Sequence, residues 1–460
     1  MLFPEADVSH AGKRTEGRKR DDYSMVVSRQ DDRVHRRRLQ AATSVGVLLL
    51  AAGALGNPWL VAVLFSDDGV LAPLTRARVQ LCEIGAIAAG FLVLAARRQL
   101  ASRHPVPALR HEHPHLFSFM FGSALAALLW LCAEGVYGAL NRARGTIAYD
   151  VRVTTLDGKA STDSVAHQDA LLGYKLTANR RVRIRVTDRD RLVYDMSMET
   201  DAFGRRVTPV SNPDRRTKFL VFFGCSFTWG QGVQDGETLP AAVGRHAWEY
   251  EPYNYGYRGY GPQQMLEQLR AGDVRAQISQ RDGIAVYTAI DDHVRRAIGS
   301  MRTAASARRD FPLFELEPDG RVVRHGSFEN SRPWRQMLYE LLSMSEVLKY
   351  YNVDFPLRIS DRHLDLVASI IAESQALYRR TFGNDNFYVV LYPQAVTMKR
   401  LRPRLEQRAV KYFDYIDLFN GDSRALTIED DGHPTPLAYE IVADRLAHDL
   451  GIAIPTRDQR

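Results

Sequence analysis

Residues 219–223, FLVFF, are an unbroken apolar run closed by Gly224, after which the chain passes through Cys225 to Ser226. A strand apolar on both faces and ended by glycine suits the centre of a parallel sheet, where helices cover both sides. Sheets of that kind bind ligands just beyond the carboxyl ends of their strands. Ser226 in that place is either a nucleophile or the cap of the next helix.

The pattern downstream extends the sheet. Further strands are expected at 252–256, 283–290 (GIAVYTAI), 386–392 (NFYVVLY) and 412–418, with helices at 263–271, 335–350 and 362–380 between them. Such alternation predicts a doubly wound α/β sheet. Residues 300–335 fit no element and are expected to be an insertion at the sheet's edge. Ahead of the sheet, over 145–215, the period changes to two: VRIRV at 182–186 and LVYDMSMET at 192–200 alternate, predicting a small antiparallel β unit. That unit is either a spacer or a wall of a substrate groove.

The first 140 residues read differently. Residues 41–65 carry no charge, and as a helix they would reach about 37 Å against a bilayer core of roughly 30 Å. Further spans are expected at 79–96 and 116–140. The first 40 residues hold ten Lys or Arg and the 97–115 loop holds four Arg, whereas the 66–78 loop has only Arg76 and Arg78 beside Asp67 and Asp68. Positive-inside asymmetry then places the N-terminus and the 97–115 loop in the cytoplasm, and three crossings leave everything after about residue 141 outside it. The charged tail, 1–40, is expected to be disordered and to lie near anionic lipid head groups.

Composition excludes several classes. The net charge of +7 over 460 residues comes with no RNA-binding signature and no Cys/His metal spacing, so neither nucleic acid nor a metal is expected. No cofactor motif occurs. Three cysteines (Cys82, Cys132 and Cys225) cannot make a disulfide framework.

Serine is a poor nucleophile until a base takes its proton. Near the C-terminus, IEDDGHPTPLAYEIVADRL (428–446) places Asp430 three residues before His433, so one turn can bring the carboxylate to the imidazole Nδ1. Nε2 would then be left for the serine. Thr435 and Pro436 read as the N-cap and first residue of the following helix, which puts His433 on a loop at the sheet's rim. A third cluster, NYGYRGYGPQQ (254–264), follows a short strand; its glycines allow close backbone approach and leave N–H groups free to donate.

These blocks resemble the SGNH (GDSL-like) hydrolase family over roughly 216–455. GCSFTWG (224–230) is similar to the first block, Asn254 to Gly259 to the second, and Asp430 with His433 to the last. The resemblance implies a flavodoxin-like α/β/α sandwich with Ser226 as nucleophile, His433 as base and Asp430 orienting it. It also implies that the backbone amides of Ser226 and Gly259 form part of an oxyanion hole. Two departures stand out. The Asp usual before the nucleophile is Cys225, itself a conceivable nucleophile. The third block, which supplies an Asn donor in the family, reads TAIDDHVRR (288–296) with no Asn. The remaining donor is therefore a protonated Asp291 or Asp292, or His293, unless backbone amides serve alone. Arg295 and Arg296 either bind an anionic sugar or face solvent.

The expectation is a serine esterase in the bacterial cytoplasmic membrane, its catalytic domain periplasmic, removing O-acyl (above all O-acetyl) groups from a carbohydrate. Transfer of the acyl group to a sugar hydroxyl would require a membrane acyl-donor partner protein. The competing class is a carbohydrate-binding or assembly protein on a degenerate hydrolase fold, discriminated by whether Ser226 Oγ and His433 Nε2 come within hydrogen-bond reach.

Overall fold

The computed structural model describes residues 33–55, 57–58, 73–102, 114–144, 149–156, 165–306, 308–419 and 424–452. The tail before residue 33 and most of the loops between the expected spans lie outside the described residues. The chain divides into two units, residues 1–138 and 139–460.

In the first unit, Arg33–Leu55 and Pro114–Ala143 are helices long and apolar enough to cross a membrane; the rest of the expected 41–65 span lies mostly outside the described residues. The expected crossing at 79–96 is corrected. It belongs to the helix Pro73–Ala95, but its apolar part, Val79–Ala95, is shorter than the other two. Its 17 residues give about 26 Å, less than a bilayer core of roughly 30 Å, because Arg76 and Arg78 end the apolar stretch; Glu83 lies inside it. Among the described residues two helices, not three, meet the requirement.

The second unit begins with antiparallel strands. β1 (Tyr149–Thr155), β4 (Arg181–Asp188) and β5 (Arg191–Glu199) form one sheet, and β2 (Ala166–Asp169) pairs with β3 (Gly173–Leu176) in a hairpin. The alternation read at 182–186 appears as burial of Val182, Ile184 and Val186, with the arginines between them outside. Those valines and Ile184 share a core with Met196, Met198, Trp229, Tyr257, Tyr260 and Phe311. The β unit is therefore packed onto the sheet domain.

The main sheet holds β6 (Lys218–Phe223), β7 (Tyr250–Asn254), β8 (Gly283–Ala289), β11 (Phe387–Leu391) and β12 (Tyr412–Asp414), all parallel. Its spatial order is β12-β11-β8-β6-β7. Numbered within the sheet this is 2-1-3-4-5, the flavodoxin-like order, with the switch point between β6 and β8. The fully apolar β6 is explained by its two faces. Phe219, Val221 and Phe223 pack against the helices Pro262–Arg270 and Asp361–Phe382. Leu220 and Phe222 pack against Leu239–His246 and Pro436–Asp449 on the other side.

Several boundaries differ from expectation, and the helix expected at 335–350 is two, Pro333–Ser343 and Glu346–Tyr350. The second strand starts and ends two residues earlier, at Tyr250–Asn254, and the last stops at Asp414. The stretch 300–335 is not featureless: β9 (Pro312–Leu316) and β10 (Val322–Ser327) make an antiparallel hairpin. Its Phe311, Leu313 and Phe328 join the core beneath the β unit.

Candidate active site

Ser226, the glycine loop and the pair Asp291–Asp292 stand just past the carboxyl ends of β6, β7 and β8. β6 leads through Cys225, the N-cap, into the one-turn helix Ser226–Trp229. β7 ends at Asn254, whose side-chain amide donates to the Thr228 carbonyl at 3.1 Å while its Oδ1 accepts from the Gly256 N–H at 3.1 Å. Asn254 thus ties the glycine loop to the serine turn. Gly259 has φ +77°, and a Cβ there would run into the Arg308 guanidinium and the Tyr174 hydroxyl. The backbone N–H groups of Ser226 and Gly259 have no partner among the described residues.

His433 arrives on the loop before Pro436–Asp449. Thr435 caps that helix by accepting from the Ala438 N–H, and Pro436 is its first residue, as read from the sequence. The loop closes on itself: the Ile428 N–H donates to the His433 carbonyl at 2.7 Å, and the Gly432 N–H to the Ile428 carbonyl at 2.9 Å. His433 Nε2 lies 2.7 Å from Ser226 Oγ, and Nδ1 lies 2.5 Å from Asp431 Oδ2. With the proton on Nδ1, the serine hydroxyl donates to Nε2. The Phe227 ring packs beside the imidazole, centroids 5.3 Å apart.

The carboxylate is thus Asp431, two residues before the histidine, and not Asp430. Asp430 (φ +62°) and Gly432 (φ +76°) both adopt left-handed backbone, so the loop turns at each and sends adjacent side chains opposite ways. Asp430 pairs with Arg191, and its carbonyl accepts from the Tyr149 hydroxyl. Only 7% of the Asp431 side chain is exposed, against 35% for Asp430. The β unit therefore holds the histidine loop through Arg191 and Tyr149.

A residue that sequence reading passed over completes the array. Gln231, buried, donates its amide to Asp431 Oδ1 at 3.1 Å. Its signal was its place in GCSFTWGQG, one turn beyond Ser226. Gln231→Ala would leave one Asp431 oxygen without its donor, worth about tenfold in turnover. Steady-state kinetics should show the loss in kcat with KM unchanged, because Gln231 acts through Asp431; an unchanged kcat would remove it from the array.

The remaining oxyanion candidates separate. Asp291 and Asp292 line the cleft of about 530 Å³ that also holds Ser226, Gly259 and His433. Asp291 Oδ1 accepts from the Met398 N–H at 3.3 Å, and burial pushes its pKa up against that bond and one from Thr397. Asp292 pairs with Arg296 at 2.8 Å. His293 is not part of the cleft wall. It is fully buried, its Nδ1 2.6 Å from the Tyr287 hydroxyl, and burial holds its pKa well below the usual histidine range. His293 is therefore removed from the donors, because the first turn of its helix folds it back onto Tyr287 of the central strand β8. Cys225 is also buried, in the core with Tyr392 and Tyr439. Arg295 pairs with Asp354 at 3.1 Å, while Arg296 is nearly buried and lines the cleft. Among the described residues no cluster of His, Cys, Asp and Glu could hold a metal.

No family model matches the chain, and no curated protein matches it. Among solved structures the chain is similar to GDSL-like lipolytic proteins and esterases. One is a lipolytic protein of the G-D-S-L family from Veillonella parvula, 15% identical over 50% of this chain and 97% of that one, TM-score 0.30. Another is an acetyl xylan esterase from the rumen bacterium Butyrivibrio proteoclasticus, 12% identical over 67% and 85%, TM-score 0.29. A third is an alpha/beta hydrolase enzyme from the Lake Arreo metagenome, 12% identical over 52% and 97%, TM-score 0.32. At these identities and TM-scores the similarity adds no argument about chemistry, and the functional reading rests on the arrangement of Ser226, His433 and Asp431.

Proposed function

We propose that this chain is a membrane-attached SGNH-type serine hydrolase that removes O-acyl groups from a carbohydrate. The observation that carries the reading is His433 standing in hydrogen-bond reach of both Ser226 Oγ and Asp431. Ser226 Oγ attacks the ester carbonyl as His433 Nε2 takes its proton, and Asp431 stabilises the imidazolium that forms. The Ser226 and Gly259 N–H groups stand free to receive the oxyanion. His433 then protonates the departing sugar oxygen, leaving the acyl group on Ser226. Water, deprotonated by the same histidine, attacks the acyl-enzyme and releases the acid. A sugar hydroxyl in place of water would make the same site a transferase, which is where a partner supplying the acyl group would enter.

The test uses full-length protein in detergent with a fluorophosphonate probe and p-nitrophenyl acetate. Wild type and Cys225→Ala should label and turn over, and Ser226→Ala should do neither. A folded wild type that gives no signal would leave the carbohydrate-binding reading.

The side of the membrane follows from the parity of crossings. An even number returns the hydrolase to the side of the N-terminal arginines; an odd number puts it opposite them. The two helices that qualify among the described residues would return it to the arginine side, so the periplasmic placement requires a further crossing. Alkaline phosphatase fused after residue 144 should be active if that crossing exists, and an inactive fusion would place the site in the cytoplasm.

A further inference from the structure

The cleft wall carries three carboxylates and three guanidinium groups, and they do not cancel locally. Asp431 is committed to His433 and Gln231, Asp291 faces the Met398 amide, and Asp292 is paired with Arg296. Arg258 and Arg308 remain, and neither has a carboxylate partner among the described residues. Arg308 packs over Gly259, the glycine beside the nucleophile, and its buried Nε has no hydrogen-bond partner. Arg258 immediately precedes that glycine, is exposed, and shares the cleft. Both residues meet one loop: the Tyr174 hydroxyl donates to the Arg258 carbonyl at 2.7 Å and stands with the Arg308 guanidinium over Gly259. The positive edge continues outward. Asp292, Arg296 and Arg308 also line a second cleft of about 550 Å³, together with Arg302.

A guanidinium taken partly out of water with no counter-charge, as Arg308 is, is costly unless an anion uses it. A planar fork of donors matches a carboxylate. We propose that Arg258 and Arg308 form a carboxylate-binding subsite next to Ser226, so that the substrate is an ester borne on or beside an anionic group. This deepens the esterase reading and rests on it. The shared chemistry has two sources: a carboxylate on the sugar ring, as in a uronic acid, or one at the end of the acyl chain.

The experiment compares two matched pairs with full-length protein in detergent. One pair is O-acetylated polyuronate against O-acetylated xylo-oligosaccharide; the other is p-nitrophenyl hydrogen succinate against p-nitrophenyl acetate. One charged hydrogen-bonded contact predicts a preference of about 10–100-fold in kcat/KM for the anionic member of one pair. Preference in the first pair places the carboxylate on the sugar, and in the second on the acyl chain. Arg308→Gln and Arg258→Gln should collapse the preference through KM, while Arg185→Gln, an exposed arginine outside the cleft wall, should keep it. No preference in either pair, or one that survives both substitutions, overturns the subsite. Failure of the esterase reading is seen separately, as absence of fluorophosphonate labelling. In that event calorimetry on Ser226→Ala protein decides: polyuronate binding that weakens with salt and with Arg308→Gln supports the subsite, and equal binding of xylo-oligosaccharide overturns it.

Discussion

Asp431→Asn should lower turnover of p-nitrophenyl acetate by about 10⁴-fold, whereas Asp430→Asn should leave it within about threefold of wild type. The asymmetry follows from the loop. Asp431 is nearly enclosed and accepts from His433 Nδ1, so an amide there offers an N–H where an acceptor is needed and favours the wrong tautomer. Asp430 faces Arg191 at the surface, where loss of an exposed pair costs little. Asparagine also tolerates the left-handed backbone at position 430, so the turn survives the change. The two substitutions are chemically identical and one residue apart, which makes each the control for the other. Comparable losses in both would mean that the loop, and not the carboxylate, sets the rate.

The same pair of residues shows where sequence reading reaches its limit. Residues 428–433 contain two adjacent aspartates, and spacing alone cannot tell which one points inward. That choice depends on two left-handed residues, at 430 and 432, and on Arg191 and Tyr149, which come from strands more than 230 positions earlier. By contrast, β6 was legible because alternate residues are buried on opposite faces, leaving a continuous apolar run that few other structures produce. The Thr435-Pro436 cap was legible because it is local chemistry. His293 was not: its contact with Tyr287 on the central strand decides its place, and that contact leaves no mark in TAIDDHVRR. The crossing at 79–96 shows a third kind of limit, since an apolar stretch that starts just after Arg78 and holds Glu83 reads as a span by composition while its apolar length falls short.

The largest stability effect is expected at Arg206. Its side chain is fully enclosed, its Nε is 2.6 Å from Asp235, and its terminal nitrogens donate to the carbonyls of Trp229, Gly230 and Val233 at 3.0, 2.5 and 2.7 Å. These carbonyls line the turn that leaves the Ser226 helix and carries Gln231. Burial pulls the Arg206 pKa down and pushes the Asp235 pKa up, so desolvation works against both partners and their attraction only partly offsets it. Such a pair adds little net stability, yet removing one member is severe. Arg206→Ala should cost about 3–5 kcal/mol, because it takes the charged partner from the Asp235 carboxylate and the donors from three carbonyls at once. Asp235→Asn should cost less, about 1–3 kcal/mol, since Arg206 keeps its three carbonyl partners. Urea unfolding followed by tryptophan fluorescence can read both, with Trp229 buried against the Arg206 guanidinium, 5.4 Å from the ring centroid. An Arg206→Ala midpoint equal to wild type would show that the turn holds without its clamp. A larger loss in Asp235→Asn would mean that the ion pair, and not the carbonyl contacts, holds the turn beneath the nucleophile.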